Sequence, residues 1–487
     1  MRTSWKSEEE IMQIEGVLKN VKEQILKQPQ TTAQFAPKIE QYLADEDMRC
    51  TFLAARVIHD LTRQCPGAMA ILSGEPSFWH KVVEALDKCL NDRVAKEMAR
   101  TIYNLTSKDG QEGKTWCRMF GVQTDGLRVL IKMLNATVDH VVFCSITSIH
   151  NILVKLEIKD EEGNPTSNAP IFSKFRDIQG PAVVARKVSE KILQTRAQNE
   201  NRSQIDQKMI QSMAKFVIIC VDILRCVSFR NDATKKALLH EHVPEMLVEL
   251  LYRPVALPSN GKLGLYITRL LKVLSVCKLN KPKIVECGGI TAIGFVITNC
   301  MGDPAVMKKV LLHALLTLRN LSDEANRQPK QADNNSILDA MTKIIASNVD
   351  EGIKTMAVGI LYNLVCNNCV NKAYLVNNTN SIDLLLHIIG SAKDTRGKST
   401  DLLELATSTL KILTNDMTKT PQDPAKRAQA QIRSSKERFH VIYYLFCEKT
   451  PYFDNEKSST ISSCSSLIYS KEASSMIKIS YPSSKQS

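Results

Sequence analysis

The sequence contains no run of about 18 uncharged apolar residues, which is the length that a membrane-spanning helix requires. Met1 is followed by charged residues instead of the apolar core of a signal peptide. These two absences argue against membrane insertion and against secretion. We therefore expect a soluble intracellular protein.

Motifs that mark catalytic sites are missing as well. The chain has no G-x-x-x-x-G-K-[ST] phosphate loop, no G-x-S-x-G nucleophile motif, no H-E-x-x-H zinc motif and no set of kinase motifs. The nine histidines are scattered, and no pairing of histidine with an acid recurs on a common helix face. We expect no enzyme and no cofactor.

Cysteine pairs are almost absent although the chain has 14 cysteines. Most stand singly among apolar neighbours, as at Cys144 and Cys220, which favours buried free thiols in a reducing compartment. Only Cys366 and Cys369 have the spacing of a redox or zinc pair, and a structural zinc site would need two more ligands at comparable spacing. We therefore expect no metal site.

Acidic residues are fewer than basic residues, so the formal net charge is +13 and the sequence pI is about 9.0. A basic protein has acidic partners, which could be nucleic acid, a membrane surface or acidic protein segments. Composition alone does not choose among these three classes.

A helical repeat is the most informative feature of the sequence. Each repeat has one equivalent position, and these positions are Asp60, Asn104, Asn151, Ile223, Val273, Asn320, Asn363 and Ile412. Successive positions are 44, 47, 72, 50, 47, 43 and 49 residues apart. All steps but one match the period of roughly 40 residues that is typical of armadillo and HEAT repeats.

Helical periodicity within each repeat predicts the fold class. Between Leu311 and Asp323, apolar residues recur on one face at a spacing of three or four, and polar residues occupy the opposite face. Stacked helical repeats bury such apolar faces and form a continuous concave surface. Strand-like alternation is nowhere sustained. We predict an all-α fold, an armadillo-repeat right-handed superhelical solenoid.

The chain divides into three predicted parts. Residues 1–35 form an N-terminal amphipathic helix, predicted from Glu8 to Lys27, and a linker. Residues 36–450 form the repeat array, and residues 451–487 form a serine-rich disordered tail. The step of 72 residues contains a polar stretch, which we interpret as a loop insertion at about 157–206. The apolar face of the N-terminal helix could either pair with a helix of a partner protein or cover the first repeat as a cap.

Two columns of side chains lie on the predicted exposed helix face. One position before the equivalent residue come His59, Tyr103, His150, Asp222, Lys272, Arg319, Tyr362 and Lys411. Four positions before it come Arg56, Arg100, Thr147, Ile219, Arg269, Leu316, Gly359 and Ser408. Six of these 16 residues are Lys or Arg and one is acidic. The columns indicate a basic groove for acidic and aromatic groups, with an ordinary solvated face as the alternative.

Asparagine at the equivalent position has two possible roles. Its amide both donates and accepts, so a row of them could bind the backbone of an extended peptide in the groove. The same side chains could instead tie one helix to the neighbouring repeat. Both roles stay open for Asn104, Asn151, Asn320, Asn363 and the nearby Asn367.

Several segments resemble consecutive repeats of the β-catenin family. They are Val129–Leu134 with Phe143 and Ile149–Asn151, Arg269–Cys277, Asn280–Gly289, Thr317–Asp323, and Gly359–Asn368 with Asn371 and Lys372. The resemblance covers roughly residues 35 to 415. It is strong from Arg269 to Lys372 and more specific than a general armadillo match.

The resemblance implies an adaptor shared between cadherin adhesion and Wnt signalling, with transcriptional coactivation, located in the cytoplasm, at adherens junctions and in the nucleus. Its implied partners are cadherin cytoplasmic tails, TCF-type transcription factors, axin, adenomatous polyposis coli-like proteins and α-catenin. The residues that match the family's groove, together with the asparagines of the repeat series, are Phe143, His150, Lys235, Arg269, Lys272, Arg319, Asn320, Asn363, Asn367 and Lys372. Lys236 is the alternative to Lys235 if the register shifts by one residue. The α-catenin-binding helix would use Ile14, Leu18, Val21 and Ile25.

Departures from the family pattern restrict what carries over. Leu316 replaces a groove tryptophan, and Lys411 and Ile412 replace an Arg-His pair. Compared with the family, we expect a chain shortened at both ends, without the N-terminal phosphodegron and the later repeats. A nuclear-import adaptor of the importin-α type is the alternative, but it would need an acidic groove with tryptophans four residues before the Asn positions. Direct nucleic-acid binding is disfavoured because stacking aromatics are sparse on the columns.

Overall fold

The computed structural model describes residues 5–89, 93–157, 169–200, 207–252, 261–300, 305–327, 334–391 and 401–414. These residues form two compact units, one ending at Cys366 and the other beginning at Asn367. Within these described ranges every regular element is a helix, which confirms the all-α prediction. The predicted tail, 451–487, and the predicted end of the array at 450 lie outside the described residues.

The first unit contains 20 α-helices in its described residues. Its first four repeats are built from α1 (Glu8–Lys27), α2 (Thr32–Leu43), α3 (Met48–Gln64), α4 (Pro66–Gly74), α5 (Pro76–Lys88), α6 (Arg93–Ser107), α7 (Gly110–Arg118), α8 (Gly126–Met133), α9 (Asp139–Lys155), α10 (Pro170–Asp177), α11 (Gly180–Glu200) and α12 (Gln207–Ser228). A short 3-10 helix (Pro29–Thr31) precedes α2, and a π-helical turn (Met119–Gln123) follows α7.

The remaining helices of the first unit are α13 (Asp232–His240), α14 (Val243–Leu251), α15 (Gly261–Leu274), α16 (Asn280–Glu286), α17 (Gly289–Cys300), α18 (Ala305–Arg327), α19 (Asn334–Ala346) and α20 (Glu351–Val365). The second unit contains α21 (Cys369–Asn378), α22 (Ser381–Ser391) and α23 (Asp401–Thr414) in its described part.

The long last helix of each repeat forms the continuous layer of the first unit. Helices α3, α6, α9, α12, α15, α18 and α20 pack in that order, each against the next. These are the helices that carry the equivalent positions found in the sequence. The layer therefore places the two predicted columns along one series of neighbouring helices.

Helix α18 illustrates how the sequence produces this packing. Its predicted apolar face is buried, with Leu311 6% exposed and Leu315 and Leu318 fully buried. Arg319 and Asn320, on the predicted polar face, are half-buried. A turn at Gly288 separates α16 from α17, and its φ of 85° is one that glycine adopts more readily than residues with a side chain.

The loop insertion predicted at about 157–206 is wrong for most of its length. Residues 170–177 and 180–200 form α10 and α11, which are the first two helices of the fourth repeat. Phe172 and Phe175 are fully buried, as are Val184 and Val188, which are four residues apart on α11. The polar residues that suggested a loop occupy the other faces of these helices and concealed the apolar spacing.

The N-terminal helix spans Glu8 to Lys27 as predicted and begins with a capping box between Ser7 and Glu10. Its stripe packs against α2 and α3, and each of its four predicted contact residues is at most 8% exposed: Ile14, Leu18, Val21 and Ile25. Ion pairs add to this packing, with Lys6 Nζ 2.6 Å from Asp45 Oδ1 and Lys22 Nζ 2.7 Å from Asp60 Oδ2. The structure therefore has α1 in the capping arrangement.

The predicted burial of the cysteines is confirmed for Cys144 and Cys220, whereas Cys366 is half-buried and Cys369 is exposed. Among the described residues no group of three His, Cys, Asp or Glu side chains could hold a metal ion. None of the described helices is both long enough and apolar enough to cross a membrane.

Candidate functional site

Three cationic side chains and one histidine, from three successive helices of the first unit, converge. They are Arg225 on α12, Arg269 and Lys272 on α15, and His313 on α18, which we call the cationic cluster. Burial, and then the charges of Arg269 and Arg225, lower the pKa of Lys272 to about 8. Burial and the same neighbouring charges lower the pKa of His313 to about 3, so its imidazole is neutral at pH 7.

The positive charge of α15 is not neutralised by a nearby carboxylate. Within the described ranges, no carboxylate forms an ion pair with Arg269, Lys272 or Arg319. The Arg269 guanidinium lies 5.7 Å from the ring centre of Tyr266, a contact that orients the cation without cancelling its charge. This part of the surface is therefore prepared for an anionic group.

His313 adds an unsatisfied polar atom to the cluster. Its Nδ1 atom is buried and has no hydrogen-bond partner among the residues that the structure describes. Buried polar atoms are nearly always hydrogen-bonded in proteins. A ligand oxygen at this position would satisfy the imidazole and would lie next to the cations of α15.

A single acid borders the cationic cluster on α12. Asp222 Oδ1 is 2.6 Å from Arg225 Nε, and Asp222 Oδ2 is 3.0 Å from His150 Nε2 on α9. Burial alone would raise the pKa of Asp222, but the hydrogen bond with His150 and the charge of Arg225 lower it to about 2. The predicted groove residue His150 is thus already bound to an ionised carboxylate.

The columns of the first repeats are also paired within the chain. His59 Nδ1 lies 3.0 Å from Glu97 Oε2, and Arg100 donates from Nε to His140 Nε2 over 2.8 Å. The predicted basic column is therefore not uniform along the unit. Five of its cations form no ion pair with a carboxylate in the described residues: Arg56, Arg269, Lys272, Arg319 and Lys411.

The asparagines at equivalent positions tie neighbouring repeats together. The side-chain amide donates to a serine hydroxyl of the preceding repeat in three cases: Asn151 to Ser107 at 3.1 Å, Asn320 to Ser275 at 2.9 Å, and Asn363 to Ser322 at 2.8 Å. This is the second of the two roles that the sequence left open. Contact with a peptide backbone stays a prediction for these residues.

The repeats of α12 and α15 lack this asparagine, and the missing tie at α15 supports the interpretation. Val273 replaces asparagine on α15, and Ser228, which follows Leu224 in the repeat before as Ser275 follows Leu271, is fully buried. The Ser228 hydroxyl has no hydrogen-bond partner within the described part of the chain. The serine is thus left unsatisfied where the asparagine is missing.

Two serine substitutions should therefore differ in their effect on stability. Ser322→Ala should lower the free energy of unfolding by about 1 to 2 kcal/mol, because it leaves the Asn363 amide without its acceptor. Ser228→Ala is the matched control, since Ser228 is as deeply buried as Ser322 and forms no such bond. We expect it to be neutral or stabilising in urea unfolding. An equal loss of unfolding free energy in both variants would contradict a stabilising hydrogen bond between Asn363 and Ser322.

Comparison with known proteins identifies similar armadillo proteins. Human junction plakoglobin is 28% identical over 386 residues, which is 78% of this chain and 43% of plakoglobin. Catenin beta of Urechis caupo is 28% identical over 379 residues, 78% of this chain and 39% of that protein. The armadillo segment polarity protein of Musca domestica is 40% identical over 127 residues, 26% of this chain and 14% of that protein.

The chain is similar to these β-catenin-type armadillo proteins. It spans less than half the length of the curated relatives it matches. A solved structure from work on a phosphorylation switch that controls the interaction between cadherin and β-catenin matches with a TM-score of 0.62. That match has 21% identity and covers 83% of this chain and 64% of the other, which confirms the predicted armadillo-repeat fold. No family model matches the chain.

Two lysines that the β-catenin resemblance singled out occupy matching places in their own repeats. Lys235 on α13 and Lys372 on α21 each come four residues after an asparagine N-cap, and each is 4% exposed. Lys235 Nζ lies 2.8 Å from Asp232 Oδ1, and the Asp232 side chain is 79% exposed. The neighbouring Lys236 is exposed, so the register that places Lys235 as the matching residue is favoured.

The other residues matched to the β-catenin groove are less closely associated with the cationic cluster. Phe143 is half-buried on α9, two helical turns before His150 and therefore on the same face. Arg319 is half-buried on α18. Asn367 is exposed and has a left-handed φ of 57°, which asparagine tolerates better than most residues.

Two members of the cationic cluster were missed from the sequence, namely Arg225 and His313. His313 lies seven residues before Asn320, so a third column at that spacing would have included it, together with Tyr266 and Glu97. Arg225 follows Leu224 as Lys272 follows Leu271, so it was missed because the fourth repeat was aligned on Ile223. Alignment on Cys226 would have included Arg225 in the first column.

Proposed function

We propose that this chain is a non-enzymatic adaptor that binds extended acidic segments of other proteins on the basic surface of its armadillo repeats. The cationic cluster carries the proposal. Cations on consecutive helices, without carboxylate partners of their own on α15 in the described residues, suit a ligand with spaced acidic residues. On an ordinary solvated face Lys272 would be exposed, whereas it is half-buried and, together with the charges of Arg269 and Arg225, this burial lowers its pKa to about 8.

A cadherin cytoplasmic tail is the first partner that we propose. The neighbouring solved structure concerns cadherin and β-catenin, and the relatives include junction plakoglobin. We extend the proposal to TCF-type transcription factors, axin and adenomatous polyposis coli-like proteins, because one basic surface can bind several acidic segments in turn. Such an adaptor would link adhesion with Wnt signalling and transcriptional coactivation, at adherens junctions, in the cytoplasm and in the nucleus.

An α-catenin-like partner would bind α1, and this proposal carries a structural condition. Leu18 and Ile25 are at most 1% exposed on α1. A partner helix can use this stripe only after it leaves α2 and α3. The free energy of α1 docking would then oppose α-catenin binding.

The importin-α-type alternative requires an acidic groove for basic peptides. Arg56, Arg100 and Leu316 stand where such a groove would present tryptophans, and the cationic cluster would repel a basic ligand. Nucleic acid remains as a competing acidic ligand. If nucleic acid were the ligand, the chain would bind random oligonucleotides regardless of their sequence, and its affinity would fall steeply as the salt concentration rises.

A competition experiment tests the proposal. Fluorescently labelled cadherin-tail and TCF N-terminal segments would be titrated with the purified chain, and unlabelled basic peptide and random oligonucleotide would be added as competitors. We expect both acidic segments to bind and to displace each other. Binding of the basic peptide alone, or displacement by oligonucleotide at lower concentration than by either segment, would overturn the proposal.

Acidic-segment binding should weaken above pH 8. Lys272 has a pKa of about 8 in the free protein because of burial and the charges of Arg269 and Arg225. A bound carboxylate raises that pKa, so binding takes up a proton once pH exceeds the free value. The dissociation constant should be constant below pH 7 and should rise up to about tenfold per pH unit above 8.

Anisotropy titrations from pH 6.5 to 9.5 would measure this dependence. The ligand carboxylates stay ionised over that range, and His313 stays neutral because its pKa is about 3. Lys272→Met is the control variant, since it keeps an unbranched side chain at this half-buried position and removes the titrating group. Its profile should be flat. A flat profile for the unchanged protein would contradict a role for Lys272.

A further inference from the structure

Asp222 is the acid within an otherwise cationic or neutral pair of columns. It lies on α12 and is 7% exposed. Its two carboxylate oxygens contact different helices, because Oδ1 is 2.6 Å from Arg225 Nε on α12 and Oδ2 is 3.0 Å from His150 Nε2 on α9. The carboxylate thus bridges two repeats where the groove changes from paired to unpaired cations.

These contacts are the ones that a ligand carboxylate would make. A guanidinium and an imidazole on one carboxylate form a charge-assisted arrangement typical of acid recognition. Although burial would raise the pKa of Asp222, His150 and Arg225 hold it at about 2, so the side chain is charged throughout the neutral range. Glu157, near the end of α9, adds a further negative charge close to Arg225.

We infer that Asp222 is a specificity-determining residue that takes the place of a ligand acid at the α9–α12 junction. It occupies His150 and Arg225 and repels a second carboxylate, so acidic ligand residues are directed to Arg269 and Lys272 on α15. The inference rests on the proposed function, because it assumes that the surface binds acidic segments.

The ligand's composition follows from this division of the surface. Phe143 lies on the same face of α9 as His150, so the ligand residue above α9 should be apolar or aromatic. The ligand residues above α15 should be acidic. An ideal segment therefore combines a hydrophobic stretch with an acidic stretch, in the order that places them on α9 and on α15.

A double-mutant cycle on the full chain tests the inference. The probes are an unstructured Asp/Glu-rich peptide and the same peptide with its acids changed to Asn and Gln. Asp222→Asn should tighten the acidic peptide about fivefold, because Arg225 is released and a repulsive charge is removed. Arg225→Gln should loosen it by a similar factor. The double variant should return close to the unchanged protein.

Asp87→Asn is the matched control, since it changes the net charge equally. Asp87 is bound to Lys132 and Arg128 on α8 and does not belong to the columns. It should alter the dissociation constant by less than about twofold. Thermal melting would identify any loss of folding in Asp222→Asn, which leaves Arg225 without its carboxylate partner. If that variant does not fold, the comparison of Arg225→Gln and the double variant with the unchanged protein still tests the inference.

Two results would count against the inference. If folded Asp222→Asn changes acidic-peptide binding no more than Asp87→Asn, Asp222 has only a structural role, while preference for the acidic over the amide peptide would preserve the proposed function. If neither the unchanged protein nor any variant binds the acidic peptide more tightly than the amide peptide, the proposed function is wrong, and the inference that rests on it is wrong as well.

Discussion

Replacing Leu18 and Val21 by Asp is expected to detach α1 from the first repeat. Leu18 is 1% exposed and Val21 is 6% exposed, and both contribute to the face that packs on α2 and α3. A carboxylate placed there must either be buried without a partner or force the helix into solvent. We expect the loss of about 4 kcal/mol or more of docking free energy, with the rest of the array folded.

Amide hydrogen exchange would measure this effect, because protection in α1 should fall while protection in α15 and α18 is unchanged. Val17→Asp is the control, since Val17 is 41% exposed on the same helix. The double variant should also abolish binding of an α-catenin-like partner, because the partner needs the same apolar stripe. Unchanged protection of α1 in the double variant would contradict the packing, and unchanged α-catenin binding would leave α1 only as a cap.

Charge reversal at Lys235 or Lys372 is expected to weaken an acidic ligand by about 2 kcal/mol or more, roughly thirtyfold, mainly through faster dissociation. Both lysines are 4% exposed and occupy matching positions after an asparagine N-cap. A carboxylate paired with such a lysine is largely removed from water, and its loss costs more than the loss of a rim charge. Surface-based kinetics with a cadherin-tail or TCF-type segment would measure the change.

Burial makes a second substitution necessary at these positions. Lys235→Met removes the charge and keeps an unbranched buried side chain, and Asp232, its present partner, is exposed enough to lose the ion pair at little cost. We expect weaker binding without a change in melting temperature. Lys343→Glu, on the exposed surface of α19, is the control and should have little effect. Equal small effects from all these variants would mean that the surface contributes only diffuse charge.

Periodicity was sufficient to predict the architecture where the apolar residues are regularly spaced. Helix α18 buries the predicted residues, and α1 begins and ends at the predicted positions. The prediction failed at α10 and α11 because two short apolar sets are separated by many polar residues, and a polar helix face has the composition of a loop. Composition describes a segment as a whole, whereas helix packing depends on the spacing of a few residues.

The candidate site was predicted in part for a different reason. A single sequence identifies which side chains share a helix face, and it placed Arg269 and Lys272 together correctly. It does not identify partners across helices, so the bond between His150 and Asp222 and the serine partner of Asn320 could not be predicted. Both contacts join residues at least 45 positions apart in the chain. The role of each side chain depends on a neighbour that periodicity does not specify.

Charge exchange between protein and ligand is the most direct test of the basic surface as the binding site. The double variant Arg269→Glu, Lys272→Glu would be titrated by calorimetry with an acidic cadherin-tail segment and with the same segment in which the acids are changed to lysine. We predict that the unchanged protein binds only the acidic segment and that the double variant loses this binding and gains affinity for the lysine-substituted segment. Undiminished binding of the acidic segment by a folded double variant would contradict the account.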